Sequence, residues 1–238
     1  MTTSATYQRL IALADSYFVH SVDIGDQNYG EDDLISLNIS SSIIGEELSI
    51  GNAIAAEIEL SMLMPDDDII PRMARIVPYT QLRTATEVAP DVITHGVFFI
   101  DTRSVTHNSD GLDILTLHGY DAMLKAEREL PQLPLMDSYG DKYLIQQIAT
   151  TMGVSLHPDA LGMIDKGYSF PLPTGYTMRE ILGFIGSAYG GNWIFDGQGR
   201  LKFVPLTSGM PDYYVIATNN NVPIAATVSG EEVEMLVI

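Results

Sequence analysis

The sequence predicts a mainly β protein: an antiparallel β-barrel, then a small helix-and-hairpin α+β insertion, then the start of a second β unit. Three observations carry that prediction. From Tyr17 to His118, about six β-rich runs recur at intervals of roughly 15–20 residues, with polar loops and no long helix between them. From Ser138 to Gly190 the apolar spacing becomes helical, with capping residues at the ends. Past Pro205, β-rich runs return.

Residues 1–16 form an N-terminal arm, either a short helix with Leu10, Ile11, Leu13 and Ala14 as its apolar residues or an extended segment. Tyr17–Ile24 opens the strand series. Leu34–Ser42 follows, with Ile35, Leu37, Ile39 and Ser41 alternating against Ser36, Asn38, Ser40 and Ser42, as expected of a strand with one buried face. Ala53–Leu63 sets Ile54, Ala56, Ile58, Leu60 and Met62 on one face and Glu57 and Glu59 on the other, a period of two that outweighs its alanine-rich start. Ala74–Leu82 is the next strand, and Pro78 suggests that it lies at an edge. Glu87–Ile93 leads into a long hairpin of Val97–Thr106 and Leu112–His118, joined by the polar tip His107–Gly111. Tyr120, Met123, Leu124 and Glu127 then fall at helical spacing, and Pro131 and Pro134 stop that helix, so residues 17–130 are read as the barrel.

Residues 131–205 are read as the insertion. Ser138–Asp141 has the composition of a helix cap ahead of an apolar stripe of Tyr143, Leu144, Ile148 and Met152 that ends at Gly153. Thr177-Met-Arg-Glu180 spells a capping box ahead of Ile181, Leu182, Ile185, Ala188 and Tyr189, and Gly190-Gly191 supplies the exit. A hairpin follows, Trp193–Phe195 and Leu201–Val204 about Asp196–Gly199. Residues 206–238 start the second β unit, with strands over 213–217, 222–228 and 232–238. The chain stops inside the apolar run Met235–Ile238, so a continuation, or a partner strand in an assembly, is expected there.

Composition narrows the function classes. Hydrophobic residues make up 46% and charged residues 18%, which predicts a folded chain. Twelve Lys and Arg against 31 Asp and Glu give a net charge of −19, which disfavours binding to nucleic acid phosphates. The chain has no cysteine, and therefore neither disulfides nor a thiolate nucleophile or ligand. No window reaches the roughly 20 apolar residues of a membrane helix, and the N-terminus does not read as a signal peptide. A soluble protein made in a cytoplasm, without membrane insertion, is expected.

No motif of chemistry stands out. Asp66-Asp67-Asp68 are three adjacent acids that point apart rather than converge on a cation, and read as a loop tip. Asp196–Arg200 lacks the alternating acids of a calcium loop and reads as a hairpin turn. His20, His95, His107, His118 and His157 show no zinc-hydrolase spacing. Glu57 with Glu59, and Glu231, Glu232 and Glu234, are carboxylate groupings without a defined geometry. Gly183 and Gly186 suit close packing of a helix, and Trp193 suits a core. Catalytic, cofactor-binding and metal residues are therefore read as none.

A resemblance lies in the order of segments rather than in any one of them. Ile35–Gly45, Leu48–Ala53 and Ile70–Ala74 precede Gly96–Asp101, Gly119–Leu124, Gly175–Leu182 and Gly190–Leu201. This set resembles tail proteins of phages and prophages of Firmicutes, in particular baseplate or tail-tip hub proteins and the N-terminal part of tail-associated proteins, over most of the chain. The resemblance implies two tube-like barrels with small α/β insertions, and three copies forming a ring that joins the tail tube to the tip. The implied partners are other copies of the chain, a tail tube or distal tail protein, and a tail-tip or spike protein. It implies a structural role in the virion tail, assembled in the host cytoplasm; in such a ring the acidic charge predicts a lumen that lets DNA pass, since like charges repel. The alternative reading is a tail protein that binds or degrades cell-wall carbohydrate.

Overall fold

A computed structural model describes residues 3–43, 49–65, 70–107, 111–131, 133–134, 136–171 and 175–206, together with the backbone of 226–228 and 231–233. The chain divides into two units, Met1–Pro205 and Leu206–Ile238. Of the second unit, strands β13 (Ala226–Val228) and β14 (Glu231–Val233) form an antiparallel pair. The strands expected elsewhere in 206–238 lie outside the described residues.

The first unit opens with helix α1 (Ala5–Leu10), capped by Ser4, whose hydroxyl accepts from the Tyr7 N–H. Eight strands then build one antiparallel sheet: β1 (Tyr17–Ile24), β2 (Gln27–Tyr29), β3 (Leu34–Ser40), β4 (Glu57–Leu63), β5 (Arg75–Arg83), β6 (Val88–Thr94), β7 (Phe98–His107) and β8 (Asp113–Asp121). The pairing path is β2-β1-β5-β7-β8-β4-β3, with β6 beside β5.

Chain connectivity forces this sheet to roll. Its two ends, β2 and β3, are consecutive in sequence and joined by residues 30–33 alone. Laid flat, six inter-strand gaps of ~4.8 Å would separate them by roughly 29 Å. Five Cα–Cα steps span at most about 18 Å. The sheet accordingly wraps one apolar face around one core: Val22 and Ile24 of β1, Ile76 of β5, Phe98 and Ile100 of β7, Leu115 and Leu117 of β8 and Ile58, Leu60 and Met62 of β4, with Leu37 and Ile39 of β3 packed against them. Among the described residues no pairing joins β3 to β1 or β2, so the expected barrel is a rolled sheet whose last seam carries no ladder.

Several expectations change in detail, each for a physical reason. β5 is an interior strand, paired with β1 on one side and with β7 and then β6 on the other. Pro78 is tolerated there because it falls where the second partner changes. Its carbonyl accepts from His95 N–H at 3.0 Å, and its missing N–H breaks no rung on that side. A register shift between Leu34 and Ser36 turns Ile35 outward, where it is 52% exposed, instead of into the core with Leu37 and Ile39. Tyr120 belongs to β8. The helix after it is a short 3-10 helix of two turns, Ala122–Glu127, whose cap Asp121 accepts from Met123 N–H at 2.8 Å. Ala53–Ala56 do not extend β4. They cross to the α+β region, where Ala53 pairs in parallel with Trp193.

That region contains β9 (Tyr139–Gly140), helix α2 (Asp141–Met152), helix α3 (Ala160–Met163), β10 (Ser169–Phe170), helix α4 (Met178–Tyr189) and the hairpin β11 (Gly191–Phe195) and β12 (Leu201–Pro205). The capping box forms as the sequence spells it: Glu180 N–H donates to the Thr177 hydroxyl, and Thr177 N–H donates to Glu180 at 2.7 Å. Helix α2 begins at Gly140 without a side-chain cap and ends at Gly153 in the left-handed conformation, φ +68°. A second core joins Leu144, Ile145 and Ile148 of α2, Ile181, Leu182 and Ile185 of α4, Trp193 of β11, Leu201 and Phe203 of β12, and Tyr139. A third, small core sets Leu10 of α1 on Leu82 and Ala89.

Candidate assembly and binding surfaces

Among the described residues, the outer half of β7 pairs with a neighbouring strand on one side alone. β5 pairs with β7 only at Phe98 and Phe99, after which Ile100 N–H reaches Ala74 O. A bulge between Ile100 and Thr102 then redirects the strand, and Asp101 through His107 are all exposed. On one side these residues pair with β8. On one flank of this stretch the Arg103 guanidinium donates to Ile70 O at 2.8 Å. Beside the bulge, a cleft of about 500 Å³ is lined by Arg72, Met73, Ile100, Asp101, Thr102 and Arg103. Met73 holds a positive φ of 58°, a conformation that costs a non-glycine residue free energy.

A second surface lies where the two regions of the first unit meet. Backbone bonds run from Gly51 N–H to Gly191 O, from Ile54 N–H to Trp193 O and from Trp193 N–H to Asn52 O, so residues 51–54 add a parallel edge to β11. Asn192, fully buried, donates to Ile43 O and Ser49 O and accepts from Asn52 N–H. Helix α4 crosses this segment at glycine. A Cβ on Gly183 would lie 2.7 Å from Gly51 O. Outside the crossing a groove of about 520 Å³ opens, with Asn52 and Ala53 on one side and Arg179, Glu180, Phe184 and Ser187 of α4 on the other. Arg179 is fixed by donating to Ala53 O at 2.8 Å and by an ion pair with Glu127. Phe184 is 48% exposed and meets Tyr176 edge-on, ring centroids 5.1 Å apart.

Asp121 sits behind that crossing. One carboxylate oxygen accepts from Ala56 N–H at 2.9 Å and the other from Met123 N–H. Burial pushes its pKa up to about 6, against the opposing pull of those two N–H groups and of Arg179.

The histidines separate. His107 pairs with Asp113, His118 stacks edge-on with Tyr120, and His157 lies 3.7 Å from Asp159. His20 and His95, far apart in sequence, meet at the buried hydroxyl of Thr80, at 3.1 and 2.6 Å. Burial, and then the neighbouring His20, lower the His95 pKa. Glu57 and Glu59 lie on the outer side of β4, facing Tyr120 and His118 of β8. Asp196 forms the hairpin turn, accepting from Gln198 N–H and Arg200 N–H and pairing with the Arg200 guanidinium. Trp193 is fully buried beneath α4. Asp66–Asp68, the Glu234 side chain and the side chains of Glu231 and Glu232 lie outside the described residues. Among the described residues no group of three or more His, Asp and Glu could hold a metal ion.

Sequence reasoning passed over Phe184. Its signal was present: in Met178–Tyr189 it is the aromatic that falls off the buried stripe of Met178, Ile181, Leu182 and Ile185.

No family model and no curated protein sequence matches the chain. Solved structures do. The 43 kDa tail protein of prophage MuSo2 from Shewanella oneidensis superposes with a TM-score of 0.53 at 12% identity, over 87% of this chain and 60% of that one. A tail protein from Neisseria meningitidis MC58 gives 0.50 at 15% identity, over 87% and 53%. Prophage tail protein gp18 from Listeria monocytogenes EGD-e gives 0.51 at 9% identity, over 84% and 56%. The chain thus shares its fold with prophage tail proteins, as the order of its segments implied, and spans between half and two thirds of their length.

Proposed function

We propose that this chain is a structural subunit of a phage or prophage tail, and that three copies form the hub ring between the tail tube and the tail tip or baseplate. The observation that carries the reading is the fold held in common with prophage tail proteins over 87% of the chain. The edge of β7 that has no second partner strand among the described residues gives the ring a physical basis. A free row of backbone N–H and C=O groups is a template for another strand, and a continuous wall built across copies removes the edges that would otherwise aggregate. A head-to-tail contact of this kind generates a closed ring when its rotation closes.

In this reading the subunit acts by geometry and not by catalysis. Its neighbours are a tail tube or distal tail protein on one side and a tip or spike protein on the other, and its place is the virion tail, assembled in the host cytoplasm. The charge of −19 suits a channel wall to which DNA does not adhere. Light scattering, followed by electron microscopy of the particles, tests the proposal. A ring of three copies is expected, for this chain or for one extended past Ile238. A monomer in both, or hydrolysis of cell-wall fragments, overturns it.

A further inference from the structure

The groove between residues 51–54 and helix α4 has a composition that an assembly contact does not require. One wall is aromatic: Phe184, 48% exposed, with Tyr176 set edge-on against it so that the ring is held in one orientation. The floor is bare backbone, because Gly183 and Gly51 approach too closely for a side chain on either. The rim carries polar atoms that have no partner among the described residues. Arg179 spends Nε on Ala53 O and one terminal nitrogen on Glu127, which leaves the other as a donor. Glu180 spends Oε2 on Thr177, which leaves Oε1 as an acceptor. Asn52 donates through its side-chain nitrogen to Ser49, which leaves its oxygen as an acceptor, and the Ser187 hydroxyl serves in either sense.

An aromatic surface beside a mixed set of donors and acceptors, with the Arg179 guanidinium already paired to Glu127, suits the chemistry of a sugar. A sugar ring presents an apolar C–H face for stacking and a rim of hydroxyls that both donate and accept. We propose that this groove binds a neutral saccharide, stacked on Phe184 and bonded through its hydroxyls to Asn52, Arg179, Glu180 and Ser187. Charge selects the class, since a protein of net charge −19 repels anionic polysaccharides. The site adds a recognition role to a tail subunit and does not depend on the ring.

Calorimetric titration of the full chain with chitohexaose, cellohexaose and maltohexaose tests it. Saturable binding of at least one is expected. Phe184→Ala should weaken that binding tenfold or more, Tyr176→Ala by a smaller factor, and Tyr17→Ala, at an exposed aromatic of the rolled sheet, not at all. Phe184 is exposed, so its variant should keep the wild-type melting temperature. Light scattering of the same variants separates the site from copy–copy contact. An unchanged particle mass with lost sugar binding supports the proposal whether that mass is a monomer or a ring. Absence of binding to all three sugars overturns it, as does binding that Phe184→Ala leaves intact, or a loss of particle mass in Phe184→Ala without any sugar affinity in the wild type.

Discussion

The rolled sheet and the α+β region bury their cores in opposite ways. The core of the α+β region is closed: Trp193, Tyr139 and Phe203 are fully or almost fully buried and α4 is capped at both ends, with Phe184 and Tyr176 left about half exposed at the groove outside it. The sheet encloses an apolar core but, among the described residues, leaves the outer half of β7 with a partner strand on one side alone and leaves Ile35, Phe18 and Val105 about half exposed. The difference teaches that the two regions answer to different requirements. One presents a groove of side chains on a packed core, while the other presents a strand edge of backbone groups.

Four experiments break or sharpen that contrast. The largest effect is expected in the closed region. Trp193→Ala empties the centre of its core and should cost about 3–5 kcal/mol in urea denaturation. Trp193→Phe should cost far less, because the buried indole N–H has no hydrogen-bond partner among the described residues and loses none on removal. Equal costs for the two would show that the region is not tightly packed.

Next is Asp121, at the join between the regions. Its folded-state pKa of about 6 stands above the 3.8 of an ordinary aspartate. The protonated form is therefore favoured by folding, so this contribution is complete below ~pH 4 and is lost as the pH rises through 6. The shift corresponds to roughly 2–3 kcal/mol. Stability measured from pH 4 to 8 should fall more steeply in the wild type than in Asp121→Asn, and parallel curves would contradict the assignment.

Gly183→Ala comes third. Alanine gains up to ~1 kcal/mol of helix propensity, but its methyl meets the Gly51 carbonyl, so a net loss of about 1–2 kcal/mol is expected. A stabilised variant would mean that the crossing segment yields.

The smallest effect on stability belongs to the open region. Ser104→Lys with Thr106→Lys, on the exposed half of β7, should change the melting free energy by no more than ~0.5 kcal/mol. The same pair should abolish ring formation in light scattering, since charged residues protect an edge from pairing. A ring that survives both lysines would move the interface away from β7.

How much of this was legible depended on the reach of each interaction. Tyr17–Ile24 and the Thr177–Glu180 box are written in neighbouring residues, and both form where the sequence puts them. Pro78 misled because its tolerance depends on where β5 changes partner, which only the register of distant strands decides. Ala53–Ala56 misled because their ladder lies on Trp193, some 140 positions away. The meeting of His20 and His95 on Thr80 is equally a product of strand register. The groove was half legible: Phe184 is off-stripe in the sequence, but its Tyr176 brace and its glycine floor exist only in the fold.

The crossing at residues 51–54 also orders events during synthesis. These residues leave the ribosome long before Gly191 and Trp193, the groups that satisfy their backbone, and at ~5–20 residues per second the delay is roughly 7–28 s. Throughout that interval residues 51–54 lack the strand that their backbone groups pair with in the finished fold. Asn192 then settles three partners at once, at Ile43, Ser49 and Asn52, which makes its arrival the step that locks the earlier half of the chain. A nascent chain halted short of β11 should therefore leave residues 51–54 open to protease, and one released past β12 should not.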